Sequence, residues 1–101
     1  MIDLGEPIGH EAAFRRPAAV VSDDPANRFG LVVVCPIGTA QRNYPTRIGI
    51  EPGRAGVDQT SYIQCEQIRT ISTDRLIHAV GDVDQVAMSE VDRVLRLLLR
   101  L

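Results

Sequence analysis

At 101 residues the chain can hold one domain with a modest core and is too short for two. With 45% hydrophobic and 24% charged residues it excludes wholesale disorder, and with only Phe14, Phe29, Tyr44 and Tyr62 as aromatics it excludes a broad base-stacking platform. The net charge of −2 is uneven: residues 1–14 sum to −3, residues 15–80 to +2 and residues 81–101 to −1, so the middle of the chain is its electropositive part.

All eleven basic residues are arginine. A GC-rich genome produces the same bias, but the planar guanidinium fork suits phosphate whatever its origin. Cys35 and Cys65 lie in apolar segments with no C-x-x-C spacing, which predicts buried, reduced thiols in a cytoplasmic protein. His10 and His78 have no ligand partners at a useful spacing, so neither a metal site nor a cofactor is expected. No charged segment followed by an apolar run opens the chain, and no stretch approaches the ~20 apolar residues of a membrane span.

In chain order, residues 1–11 read as a loop, broken by Gly5, Pro7 and Gly9. A strand is predicted over Ala18–Ser22, followed by an acidic turn. The run "LVVVCPI" is apolar and β-branched on both faces, so it belongs in the middle of a sheet, with Pro36 marking its end or a bend. "GTAQRNYP" reads as a polar loop, "TRIGIEP" as a strand with Ile48 and Ile50 on one face, and "GRAGVDQT" as a mobile surface loop. In "SYIQCEQIRTIS", Tyr62, Gln64 and Glu66 alternate with Ile63, Cys65 and Gln67, and a bulge at Cys65–Gln67 accounts for the imperfect pattern. A capped turn is expected at Ser72–Arg75, and "LIHAVG" reads as a short strand. The tail "DVDQVAMSEVDRVLRLLLRL" predicts a helix with Asp84 as N-cap and an apolar stripe of Val83, Val86, Ala87, Val91, Val94, Leu95 and Leu98. Leu97, Leu99 and Leu101 widen the apolar surface beyond one face, which implies a deep cradle or a partner. Strands first and one helix last predict a mainly β fold, a small and strongly curved antiparallel sheet with a C-terminal α-helix packed on it.

The chemistry-bearing residues gather early in the chain. Pro17 pushes Arg16 towards extended backbone, and successive extended residues point to opposite faces, so Arg15 and Arg16 cannot both line one pocket. From the residues alone, both could equally solvate a strand end. Glu11 reads either as an orienting or acid–base carboxylate or as a solvated loop residue. Thr39, Gln41, Arg42, Asn43 and Arg47 form a polar, positive collection that fits a phosphate-contacting loop and also any exposed hairpin.

The segments "DLGEPIGHEAAFRRPAAVVSDDPANRFG", "VVVCPIGTA", "EQIRTISTDRLIHAVGDV" and "EVDRVLRLLL" occur in this order, and Gly9, Glu11, Arg16, Pro17 and Val20 supply a G-x-E-x-x-x-x-R-P-x-x-V element. In these features the chain resembles the MazF/PemK/Kid family of toxin endoribonucleases over essentially its whole length. The resemblance implies an SH3-like, CcdB-type barrel, a homodimer, and sequence-specific, metal-independent cleavage of single-stranded RNA neutralised by a MazE-like antitoxin. It places the catalytic arginine on Arg16 and the associated glutamate on Glu11. The family's second catalytic group is a threonine, but the matching element here reads Pro36-Ile37-Gly38-Thr39, so glycine occupies the usual position and Thr39 comes one residue late.

Arg15, Gln41, Arg42, Tyr44, Arg47 and Ser61 are the expected RNA-binding residues, with Tyr44 the stacking candidate, while Gln67 in the E-Q-I element is read as structural. Family members carry about one further strand before "DLG", so residues 1–101 are expected to form one domain with a shortened first strand. The implied reaction is attack of the 2′-hydroxyl on phosphorus, leaving a 2′,3′-cyclic phosphate and a 5′-hydroxyl. Two other readings share the fold: a CcdB-like gyrase poison, which the lack of tryptophan argues against, and an inactive barrel that only binds antitoxin, which Gly38 keeps open.

Overall fold

The computed structural model of the chain describes residues 1–5, 15–23 and 29–101. Its strands are β1 (Ile2–Asp3), β2 (Arg15–Arg16), β3 (Ala18–Val20), β4 (Leu31–Gly38), β5 (Arg47–Ile50), β6 (Ser61–Gln64) and β7 (Arg69–Ser72), and one helix, α1 (Gln85–Leu99), follows. All pairings are antiparallel. Among the described residues the architecture is therefore mainly β with one C-terminal helix, as the sequence implies. The main sheet has the order β3-β4-β6-β5, with β7 also paired to β4, and β1-β2 forms a separate small ribbon.

Strand β4 is the axis of the molecule. Leu31–Val34 pair with β7, Ile37 and Gly38 pair with β6, and β3 lines the other edge through Ala18↔Pro36, Ala19↔Cys35 and Val20↔Val34. Pro36 does not end the strand but lies where β4 changes partner from β7 to β6. A residue without an N–H is tolerated there because no ladder donor is required of it. The two-residue side-chain period then separates two cores. Cys35 and Ile37 join Ile50, Ile63, Cys65, Val91 and Val94 beneath the helix, whereas Val32 and Val34 join Ile2, Leu4 and Ile71 on the opposite face.

Helix α1 begins where the sequence places it. Asp84 accepts a hydrogen bond from the Ala87 backbone N–H at 2.8 Å, satisfying one of the otherwise orphaned first-turn donors. Val91 and Val94 are its core residues, with Leu95 and, from the chain leading into the helix, Val83 packed beside them. Val86 and Leu98, expected on the same stripe, are instead 77% and 41% exposed, because that stripe is wider than the core it covers. Leu97, Leu98, Leu99 and Leu101 remain exposed at its far end.

Four local expectations change. Residues 2–3 form a strand rather than a loop, and Ile2 and Leu4 are buried, because the extended Arg15–Arg16 pair offers them a tertiary partner. The long "SYIQCEQIRTIS" segment is interrupted by a 3-10 turn at Cys65–Gln67 and not by a bulge, and this corner carries the chain from one end of β4 to the other. "LIHAVG" is not a strand. Leu76 makes one isolated bridge to Ile2, and the remainder follows the N-terminus through Ile77 N–H to the Met1 carbonyl (2.9 Å) and the Met1 ammonium to the His78 carbonyl (3.0 Å). The loop 53–60 is exposed but anchored: Val57 is buried in the main core, and Gly53 N–H donates to the Val57 carbonyl at 2.8 Å. Gly56 has φ +78°, and a Cβ there would collide with the Val80 carbonyl, so this loop sits backbone to backbone on residues 80–81. The capped turn does form, as a 3-10 turn over Thr73–Arg75 with the Ser72 hydroxyl accepting from Asp74 N–H.

Candidate functional site

The pre-proline geometry of Arg16 is fixed by strand register. Ala18 pairs with Pro36, and Ile37 N–H donates to the Pro17 carbonyl at 2.8 Å, so Arg16 lies across from Gly38. Residues facing one another across an antiparallel ladder share a side of the sheet. The guanidinium follows: a Cβ placed on Gly38 would be 3.6 Å from Arg16 Nη1. Arg15 leaves the strand on the other side, its side chain 73% exposed and 3.9 Å from the Asp3 carboxylate. The two adjacent arginines thus serve different surfaces.

Tyr62 pairs with Gly38 and with Gly49, and Gln64 pairs with Arg47. The period of two places Gly38, Tyr62, Gln64 and Arg47 on one face, with Ile37, Ile63 and Ile48 turned to the core. This face continues the side of β4 that carries Val32 and Val34, and at its polar end Arg16 and Gln64 replace the apolar side chains. Gln64 is buried.

Arg47 is committed internally. Its Nε and Nη2 donate to Glu66 Oε2 at 3.1 and 2.9 Å, and its Nη1 donates to the Ala40 carbonyl at 3.0 Å, while Thr46 Oγ1 donates to Glu66 Oε1 at 2.9 Å. The guanidinium carbon lies 4.9 Å from the centroid of the Tyr44 ring, within cation–π range. Since the Arg47 side chain is only 10% exposed, it fastens the 39–46 loop to the 3-10 turn at Cys65–Gln67 and does not offer a free fork to a ligand.

Ser61 is likewise buried, and its hydroxyl donates to the Gln59 carbonyl at 2.9 Å, so it braces the preceding loop. Thr39, Gln41, Arg42 and Tyr44 are exposed in the segment that follows β4. Glu11 lies outside the described residues. Sequence reasoning singled out neither Gln64 nor Glu66 as part of the site, although their alternation with Ile63 and Cys65 is the signal that finds them.

Cys35 and Cys65 are fully buried and unbridged. Hydrogen bonding to Cys65, together with burial, pushes the Cys35 thiol far above its ordinary range. It stays protonated, which suits a core residue and not a nucleophile. Among the described residues no cluster of three or more His, Cys, Asp or Glu side chains could hold a metal ion, and no helix is long and apolar enough to cross a membrane.

An antiparallel sheet carrying one C-terminal helix, with a half-buried arginine on its polar face, is the frame that the sequence resemblance implies. The comparisons with known proteins make the assignment specific. Residues 1–99 match the family described as the PemK-like, MazF-like toxin of type II toxin-antitoxin systems, and the chain belongs to that family. It is 34% identical to endoribonuclease MazF9 of Mycobacterium tuberculosis, over 99% of this chain and 91% of that protein. It is also similar to the crystal structure of MazF from Deinococcus radiodurans, with a TM-score of 0.84 and 25% identity over 99% of this chain and 90% of that one. A mycobacterial endoribonuclease in complex with its cognate antitoxin has a TM-score of 0.74 and 28% identity over 85% of this chain and 82% of that one.

Proposed function

We propose that this chain cuts single-stranded RNA at sequence-specific sites without a metal, acting as the toxin of a toxin–antitoxin pair. The observation that carries this reading is the Arg16 guanidinium, held across from Gly38 by the pre-proline register on the polar face of the sheet. Phosphodiester cleavage by the neighbouring 2′-hydroxyl forms a bond from O2′ to phosphorus and breaks the bond from phosphorus to O5′. The hydroxyl proton must leave, charge builds on the phosphoryl oxygens, and the departing O5′ takes a proton.

Arg16 meets the second requirement, because a fixed, always-charged donor fork matches phosphoryl oxygens and strengthens as their charge grows. A group with a pKa above ~12 is a poor base. Glu11 is therefore assigned the proton from the 2′-hydroxyl or the orientation of Arg16, and Thr39 hydrogen-bonds a phosphate oxygen. The exposed Gln41, Arg42 and Tyr44 offer polar, cationic and stacking contacts for splayed bases along the same edge. Arg15, on the other surface, contacts the RNA backbone. Arg47 and Ser61 contribute by shaping the loops and not by direct contact.

Residues 1–101 act as one domain in this reading. A cognate antitoxin is the partner, a homodimer the working form, and the cytoplasm the compartment. The exposed leucines at the end of α1 supply apolar surface that such partners can cover.

The test is to incubate the purified protein with a long RNA in EDTA and to map the new 5′ ends. Discrete cleavage with 5′-hydroxyl ends is expected, and Arg16→Ala should lower kcat by about 10²- to 10³-fold. Intact RNA with the unaltered protein would remove the nuclease reading and leave a barrel that only binds antitoxin, the alternative that Gly38 favours. Equal rates for the protein and its Arg16 variant would remove the mechanism.

A further inference from the structure

We propose that the side-chain amide of Gln64 is a second phosphate-binding donor of this site, occupying the place that a side chain at position 38 would otherwise take. The inference rests on the reading of Arg16 as the residue that meets the scissile phosphate.

Gln64 sits on β6 between Ile63 and Cys65, which are both fully buried in the core under the helix. Strand alternation turns Gln64 the other way, onto the face of Gly38 and Arg16. It is only 6% exposed, and a buried amide costs about 1–3 kcal/mol where no partner repays it. An apolar side chain would fill this position at no such cost, so a polar group here points to a polar task.

The geometry defines that task. A Cβ built on Gly38 would lie 2.6 Å from Gln64 Nε2 and 3.6 Å from Arg16 Nη1. One point beside Gly38 is therefore flanked by two nitrogen donors from different strands. Both groups carry N–H donors, and a guanidinium has five of them to share among several acceptors. What suits both is a third group rich in acceptors, and a phosphodiester with two non-bridging oxygens is such a group.

Glycine at position 38 follows from the same contact. A distance of 2.6 Å is closer than real Cβ atoms approach a neighbour, so any side chain there would displace the amide. Gly38 and Gln64 are thus one arrangement: the donor enters from the diagonal neighbour on β6 instead of from β4 itself. The strand pair that carries the amide is braced before any substrate arrives, because Gln64's register partner Arg47 is clamped to Glu66. A donor already in place loses little on reorganisation when charge develops.

Single-turnover cleavage of an RNA oligonucleotide in EDTA tests this. Gln64→Leu, which keeps the buried volume, should lower kcat by about 10²-fold, with KM changed by less than about threefold. Gln64→Glu keeps the length, removes the donors and should lose at least as much, which provides the test if the leucine variant does not fold. Gly38→Thr alone should also lower kcat, because threonine expels the amide. The double variant Gly38→Thr/Gln64→Ala should recover at least about tenfold over Gln64→Ala, because a hydroxyl then fills the vacated space. A purely structural role for Gln64 would instead lower the urea midpoint of Gln64→Leu and leave its kcat at the wild-type value. Wild-type kcat in both Gln64→Leu and Gln64→Glu, or a double variant no faster than Gln64→Ala, overturns the inference while leaving Arg16-dependent cleavage intact. Absence of cleavage by the unaltered protein instead overturns the nuclease reading, and this inference with it.

Discussion

Arg16 owes its position to the residue behind it. Proline holds the preceding backbone extended, the Pro17 carbonyl accepts from Ile37 N–H, and these together aim one guanidinium across β4 while Arg15 turns away. Thr39 has no comparable support: it is exposed one residue beyond Gly38, at the end of β4. A hydrogen bond to an anionic oxygen is worth about 1.5 kcal/mol at the exposed end of its range, so Thr39→Ala should lower kcat roughly tenfold, short of the Arg16→Ala loss, in the same cleavage assay.

Arg47 predicts a different outcome. Removing it strands the Glu66 carboxylate, itself only 22% exposed in the side chain, and releases the Ala40 carbonyl. Arg47→Ala should therefore lower the urea midpoint by an amount equivalent to about 2–3 kcal/mol, so its effect on activity would come through lost structure. The opposition of Arg15 and Arg16 was legible in three letters, R-R-P, because it depends on neighbours in sequence. The meeting of Gly38 with Gln64 was not, because it depends on the register between two strands 26 positions apart. For the same reason the ion pair between Arg47 and Glu66 is legible only once β5 is set against β6 and the turn that follows it.

At the scale of elements, the readable parts are those whose cause is local. The apolar β-branched run of β4, the Ser72 and Asp84 caps and the Val91–Val94 centre of the α1 stripe carry their reasons in adjacent residues, whereas the exposure of Val86 and Leu98 does not. The short β1 strand and the corner at Cys65–Gln67 do not, since each exists to meet a distant partner. The 53–60 loop belongs with these. Its glycines suggested freedom, yet Gly56 is there because the loop rests directly on the Val80 carbonyl. Gly56→Ala must adopt a left-handed backbone and push two backbones apart. It should destabilise the fold by at least about 2 kcal/mol, seen as a lower urea midpoint with an unchanged slope.

At the scale of the molecule, the polar end of one sheet face holds the proposed chemistry while the helix covers the other. The apolar packing beneath α1 therefore stiffens a surface it never touches. The fold-level match to the PemK-like, MazF-like family extends across both.

The way β4 serves two partners has a dynamic consequence. A strand shared between β7 at one end and β6 at the other leaves neither half a separate unit to melt, since releasing either removes the template of the other. The domain should consequently lose structure in one step, with no half-open form in which the Arg16 face is dismantled and the second core survives. Native-state hydrogen exchange can read this directly: the Val34 and Ile37 amides, on either side of Pro36, should exchange at one common free energy equal to that of global unfolding. A lower value at Ile37 alone would mean that the site opens by itself.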